Sequence, residues 1–253
     1  TRLATRAVRD GDNYRVSGRK LWTTTAQTAN KILLIARTTP IEECSKPTQG
    51  LTLFYTDLDR DRIEVRLIDK MGRKAVDSNA LFIDDLVVPI RDRIGEEGDG
   101  WKCLLHGLNP ERILIAAEAV GLGQVALEKA ARYASERVVF DRTIGKNQAI
   151  QHPLAENWME LQAAELMVFK AASLYDKGQP CGAEANASKY LAASAAHKAC
   201  QRAVLTHGGM GYAKEYHVER YLREIMIPVI APISQELIKS FIAEQVLGQE
   251  KSY

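Results

Sequence analysis

The chain has 253 residues, 46% of them hydrophobic and 26% charged, an ordinary composition for a folded globular protein with one large core or two modest ones. A net charge of +2, with Lys and Arg spread rather than striped, offers no nucleic-acid footprint. No apolar run approaches the about 20 residues of a membrane span. Four cysteines and five histidines show no Cys-x-x-Cys or His-x-x-x-His spacing, so no metal site is read and the cysteines are expected as reduced thiols.

Up to about residue 95 the chain alternates polar and apolar side chains, as half-buried strands do. Asp10-Gly11-Asp12-Asn13 is a turn signal. Strands are predicted over Tyr14–Trp22, kinked at Gly18, and over Lys31–Arg37, Leu51–Thr56, Ile63–Ile68 and Leu81–Val88. Short strands at such regular spacing predict a small antiparallel barrel or sandwich. Pro89 and the cluster Gly95, Gly98 and Gly100 close this region, so domains are expected over 1–95 and 96–253.

From Trp101 the period changes. Ile113, Ala116, Ala117, Val120, Gln124, Leu127 and Ala131 recur at helical spacing, which predicts a helix over 112–135. Pro153–Tyr175, Ala183–Thr206 and Gln235–Leu247 repeat the pattern. Alanine-rich helices with a wide apolar arc predict an up-down four-helix bundle with a subunit interface. The expected fold class is therefore α+β, a small β domain followed by a helical bundle. The opening Thr1-Arg2-Leu3-Ala4-Thr5 has no initiator Met and no signal-peptide apolar region, and it reads as the interior of a domain, so the chain is expected to be a fragment.

One landmark stands out among the helices. His207-Gly208-Gly209-Met210-Gly211-Tyr212 cannot be helix interior at low cost, because each glycine there loses about 0.5–1 kcal/mol relative to alanine. Something must approach the backbone closely at that point. Four further patterns share the chain with it: Gly18-Arg19-Lys20-Leu21-Trp22-Thr23-Thr24, Asn109-Pro110-Glu111-Arg112, Glu136-Arg137-Val138-Val139-Phe140 with Gln148 beyond it, and Ile230-Ala231-Pro232-Ile233-Ser234. In this order and spacing the set resembles the acyl-CoA dehydrogenase family, as its middle β domain plus its C-terminal helical domain.

The resemblance implies FAD as cofactor. It implies that Trp22 covers one face of the isoalloxazine, with Thr23 beside it and Thr24 offering a hydrogen bond near N5. Arg137 would reach the pyrophosphate of FAD held by a neighbouring subunit, Phe140 would lie against its adenosine part, and Gln148 would contact the same cofactor. Gly208 and Gly209 would let that FAD approach the backbone, and Ser234 would also contact it. Without the resemblance these residues have plainer readings: Trp22 as a core aromatic, Arg137 as a surface residue, Phe140 as a buried helix-end aromatic, the glycines as an inter-helix loop. The chain departs from the family pattern at Asp141, where Gly is usual and an acid would weaken binding of an anionic group, and at Leu205, where glutamine is usual.

Dehydrogenating an acyl thioester between Cα and Cβ needs a base for the α-proton. Most of the family carries that glutamate before the last helix, followed by Gly and Thr; here the tripeptide is Pro232-Ile233-Ser234, and proline cannot abstract a proton. The isovaleryl-CoA and long-chain members supply it from the first long helix of the C-terminal domain, directly before an arginine, and Glu111-Arg112-Ile113 resembles that placement. The plainer reading makes Glu111 a first-turn acid after an Asn-Pro cap. Glu118, seven residues on, shares the helical face, and no family role transfers to it. Asn109 and Arg112 match positions near the thioester and CoA.

The resemblance thus implies FAD-dependent α,β-dehydrogenation of an acyl-CoA substrate, with Glu111 as base and flavin N5 as hydride acceptor. It further implies a homotetramer (or homodimer), electron-transfer flavoprotein as electron acceptor, and a bacterial cytoplasmic or mitochondrial matrix location. An oxygen-using acyl-CoA oxidase and a non-catalytic FAD- or CoA-binding scaffold are the alternatives, the latter favoured by Pro232, Leu205 and Asp141.

Overall fold

A computed structural model describes residues 3–251. Contacts divide the chain into two compact units, 1–107 and 108–253.

The first unit is built on β1 (Arg6–Asp10), β2 (Asn13–Thr24), β3 (Lys31–Arg37), β4 (Leu51–Asp57), β5 (Ile63–Leu67), β6 (Ser78–Pro89) and β7 (Arg93–Ile94). They form one sheet in the order β5-β6-β2-β1-β3-β4-β7. All pairings are antiparallel except β1 with β3, which meet in parallel at Arg6 and Arg37. The period-two alternation of apolar residues puts Tyr14, Val16, Leu34, Phe54, Ile63, Leu81, Leu86 and Val88 into one core. The turn at Asp10–Asn13 closes a hairpin whose first strand, β1, has too few apolar side chains for its sequence to announce it.

The second unit holds the helical bundle. Its long helices are α1 (Gly100–Glu136) from Leu108 onward, α2 (Gln148–Asp176) and α3 (Gly182–His207). The five residues after α2 are a connection short enough to reverse the chain. Three shorter helices follow: α4 (Val218–Glu224), α5 (Met226–Ile230) and α6 (Gln235–Gln245). The core is a small-residue seam, with Ala116, Ala119, Ala126 and Ala130 of α1, Leu161, Ala164 and Ala171 of α2, and Ala185, Ala192, Ala196, Ala199 and Ala203 of α3. Gly123 sits where three helices crowd together; a Cβ there would lie 2.7 Å from Leu161 Cδ2 and 2.9 Å from Ala196 Cα. The alanines let the helices approach closely, and Ile113, Leu127, Leu161, Val168, Tyr221 and Ile225 fill the rest of the core.

Two helix starts differ from the expectation. α1 begins twelve residues before 112 and carries Pro110 inside it, so Asn109-Pro110 is not a cap. Proline there removes only one bond, the one its missing N–H would make to the residue four before it. α2 likewise begins at Gln148, before Pro153. The stretch Val218–Gln245 is apolar enough by composition to cross a membrane, but it is broken into three helices. The longest has 11 residues, about 16 Å, against the about 30 Å of a hydrocarbon core.

Candidate active site

In the first unit the pairing of β2 with β6 slips between Lys20 and Thr23, where two residues face one. This β-bulge throws Leu21 and Trp22 outward together. Trp22 is 62% exposed and sits at φ 62, the left-handed region that a bulky residue rarely adopts. It is therefore not a core aromatic. Thr23 is half-buried and Thr24 exposed. The bulge is fixed from below by Asn79, which is fully buried. Its amide donates to the Thr23 carbonyl at 3.0 Å and to the Asp77 carboxylate, and its Oδ1 accepts from Gln27 Nε2 at 2.8 Å. The Asn79 bond, seconded by the Gln27 backbone N–H, holds the Asp77 carboxyl below its ordinary range. Nothing in the strand pattern singles out Asn79; only the register does.

In the second unit, Val138–Val139 (β8) and Arg142–Thr143 (β9) form a small hairpin closed by Phe140 and Asp141. Both turn residues have positive φ, 51 and 60, the signature of a type I′ turn. That geometry favours glycine at the second position and tolerates Asp. Phe140 is 93% exposed, so it is not a buried helix-end aromatic. Arg137 is exposed, and among the described residues its guanidinium makes no hydrogen bond or ion pair. The hairpin is tied to Gln148 through Asn147, whose Oδ1 accepts from Arg142 Nη2 at 2.6 Å and whose Nδ2 donates to the Ile144 carbonyl at 3.0 Å. Gln148 itself is exposed at the first position of α2.

The glycine turn resolves into distinct causes. Gly208 caps α3 at φ 59. Gly211 is buried, and a Cβ on it would run into the Val204 carbonyl. Gly209 has neither reason: its φ is not positive, and no atom lies within 4 Å of where a Cβ would be. The space above it is open. Beneath the turn, His207 stacks on Tyr133 with centroids 4.2 Å apart and meets the edge of Tyr216 at 5.3 Å. Its Nδ1–H donates to the Ala203 carbonyl at 2.8 Å, and burial lowers its pKa. Leu205 is exposed.

On α1, Asn109 and Arg112 meet directly, Arg112 Nη1 donating to Asn109 Oδ1 at 2.9 Å. Arg112 is half-buried and Glu111 exposed beside it; burial disfavours the guanidinium charge and lowers its pKa, and Glu111 offsets only part of that effect. Glu118 is exposed too, so it is not a carboxylate sunk into an apolar face. Ser234 is the N-cap of α6, its Oγ accepting from the Leu237 N–H at 3.3 Å. Pro232 and Ile233 precede it with no carboxylate of their own.

Residues 98–247 match the acyl-CoA dehydrogenase C-terminal domain, and residues 1–86 match the acyl-CoA dehydrogenase middle domain. The chain belongs to the acyl-CoA dehydrogenase family. It is 36% identical over 254 residues to acyl-CoA dehydrogenase FadE12 of Mycobacterium tuberculosis, covering 100% of this chain and 65% of that protein. It is 32% identical to the caffeyl-CoA reductase-Etf complex subunit CarC of Acetobacterium woodii, covering 97% and 64%. The butyryl-CoA dehydrogenase structure from Megasphaera elsdenii superposes with a TM-score of 0.91 at 31% identity, over 97% of this chain and 63% of that one. The chain thus spans just under two thirds of the length of these relatives, and its β unit followed by a helical unit is the arrangement an acyl-CoA dehydrogenase would give.

Proposed function

We propose that the chain is the middle β domain (1–95) and C-terminal helical domain (96–253) of an FAD-dependent acyl-CoA dehydrogenase acting between Cα and Cβ of an acyl-CoA thioester. One observation carries the reading: two large aromatics, Trp22 and Phe140, are held on left-handed backbone with most of their surface in water. Neither position lowers the energy of this chain alone, and such outliers gather at ligand sites.

The residues present fit FAD. Trp22 offers a flat wall, and Thr23 and Thr24 offer polar groups beside it. Arg137 is a free, planar cation suited to a diphosphate. Gly208 and Gly209 leave open space against the backbone. Phe140, Gln148 and Ser234 complete the proposed contacts. When bound, FAD supplies the hydride acceptor at N5. The chain's own part is to take the α-proton on the Glu111 carboxylate, with Asn109 and Arg112 steadying the thioester end of the substrate. Pro232 keeps the usual carboxylate position empty of a competing base.

The exposed stripe of Trp158, Met159, Leu166 and Phe169 on α2 supports assembly into a homotetramer (or homodimer), in which each FAD touches two subunits. Electron-transfer flavoprotein is the proposed acceptor, in keeping with the Etf complex of which CarC is named a subunit. A bacterial cytoplasm or mitochondrial matrix is the proposed location. The test is anaerobic addition of saturated acyl-CoAs of graded length to full-length, FAD-loaded protein. Bleaching of the flavin band supports the dehydrogenase reading; a bound flavin that no acyl-CoA bleaches overturns it.

A further inference from the structure

The buried stripe of α3 runs through Ala185, Ala192, Ala196, Ala199 and Ala203, and Lys189 falls in line with it. Lys189 is 0% exposed. A buried ammonium is costly unless its protons find acceptors. Here two carbonyls receive it: Nζ donates to Ile233 O at 2.6 Å and to Val229 O at 3.2 Å. One oxygen lies in the last turn of α5 and the other in the link 231–234 between α5 and α6, where Ile233 directly precedes the N-cap Ser234. A second tie runs beside the first, Gln235 Nε2 donating to Ser194 Oγ at 3.1 Å. The charges that act on Lys189 are Glu236 of α6, which favours the ammonium, and Arg112 of α1, which opposes it.

We propose that Lys189 is a positioning residue of the active site, its Nζ fixing the path of residues 229–233 and thereby the placement of Ser234. This rests on the dehydrogenase reading given above. An apolar side chain could fill the slot but could donate to neither the Val229 nor the Ile233 carbonyl. Burial pulls the Lys189 amine down to about 8, and its neutral form still carries two N–H donors, one for each carbonyl.

The experiment uses full-length protein as wild type, Lys189→Met and Lys189→Arg. Hydrogen exchange of the 231–237 segment is followed by mass spectrometry with and without FAD, and the rate of anaerobic flavin bleaching by an acyl-CoA is measured. In Lys189→Met the 231–237 segment exchanges faster and bleaching slows about 10²-fold, as misplacement by an ångström does. Lys189→Arg keeps protection and most of the rate. Wild-type exchange over 231–237 in Lys189→Met, or a wild-type bleaching rate in it, overturns the proposal. Should that variant not fold, Lys189→Gln, too short to reach both carbonyls, takes its place, and wild-type exchange over 231–237 in it does the same. A wild type bleached by no acyl-CoA sinks the dehydrogenase reading and the catalytic part of this inference with it; the exchange arm then decides alone what Lys189 holds.

Discussion

A tryptophan at φ 62 with 62% of its surface in water costs stability through its backbone and returns little of what its burial would contribute. Left-handed backbone costs a non-glycine residue about 1–2 kcal/mol. Trp22→Gly should therefore leave the thermal midpoint of the β unit level or raise it, while FAD retention falls; a loss of both would make Trp22 a structural residue. Glu111 calls for the opposite test, shape kept and chemistry removed. Glu111→Gln should hold its flavin and lose about 10²–10⁴-fold in the rate of substrate bleaching, whereas full activity would end its assignment as base. At this scale the sequence was informative where the family pattern spoke, and blind to support. Asn79 and the His207–Tyr133–Tyr216 stack are visible only once the chain is folded. Lys189 is the exception, because its place in the alanine stripe at helical spacing could have marked it as a buried cation.

Periodicity gave the elements and failed at their punctuation. β3 runs from Lys31 to Arg37 as its alternation says, and α3 extends the expected 183–206 by one residue at each end. α1 and α2 both start earlier than predicted, since a proline near a helix start reads as a boundary and here is not one. The β8–β9 hairpin escaped notice because its turn is Phe-Asp rather than Asn-Gly. That turn also explains Asp141: the position demands positive φ, which Gly meets most easily and Asp meets at a cost. Asp141→Gly should relieve that cost and remove a negative charge close in sequence to Arg137. The expected result is tighter FAD binding by titration, with Arg137→Ala moving the same titration the other way. Equal FAD affinity in all three proteins would detach this hairpin from the cofactor.

Each unit of the molecule carries one lysine whose amine burial has pulled down to about 8, Lys20 on the β unit and Lys189 on the helical one. Lys20 Nζ donates to the Ile35 carbonyl as Lys189 does to Ile233. In the unfolded chain both keep their proton up to the ordinary 10.5. Between about pH 8 and 10.5 the unfolded state therefore binds more protons, and each group makes stability rise with pH there, by at most about 1.4 kcal/mol per pH unit. Below about pH 8 both are charged in either state and the cost of burying them is fully present. The buried thiol of Cys200 acts in the other direction: burial pushes it up to about 12 from 9.0, so above pH 9 the unfolded chain loses a proton that the folded one keeps. Burial pushes the Cys181 thiol up as well, so the stability of the helical unit should climb from pH 8 to 9 and climb no further above that, while the β unit, which lacks a buried thiol among the described residues, should keep climbing. Denaturant titrations at pH 7, 8, 9 and 10, read separately for strand and helix signals, would show it. Lys189→Met should erase the rise of the helical transition alone; a rise that survives in that variant would mean that another group on the bundle carries the proton.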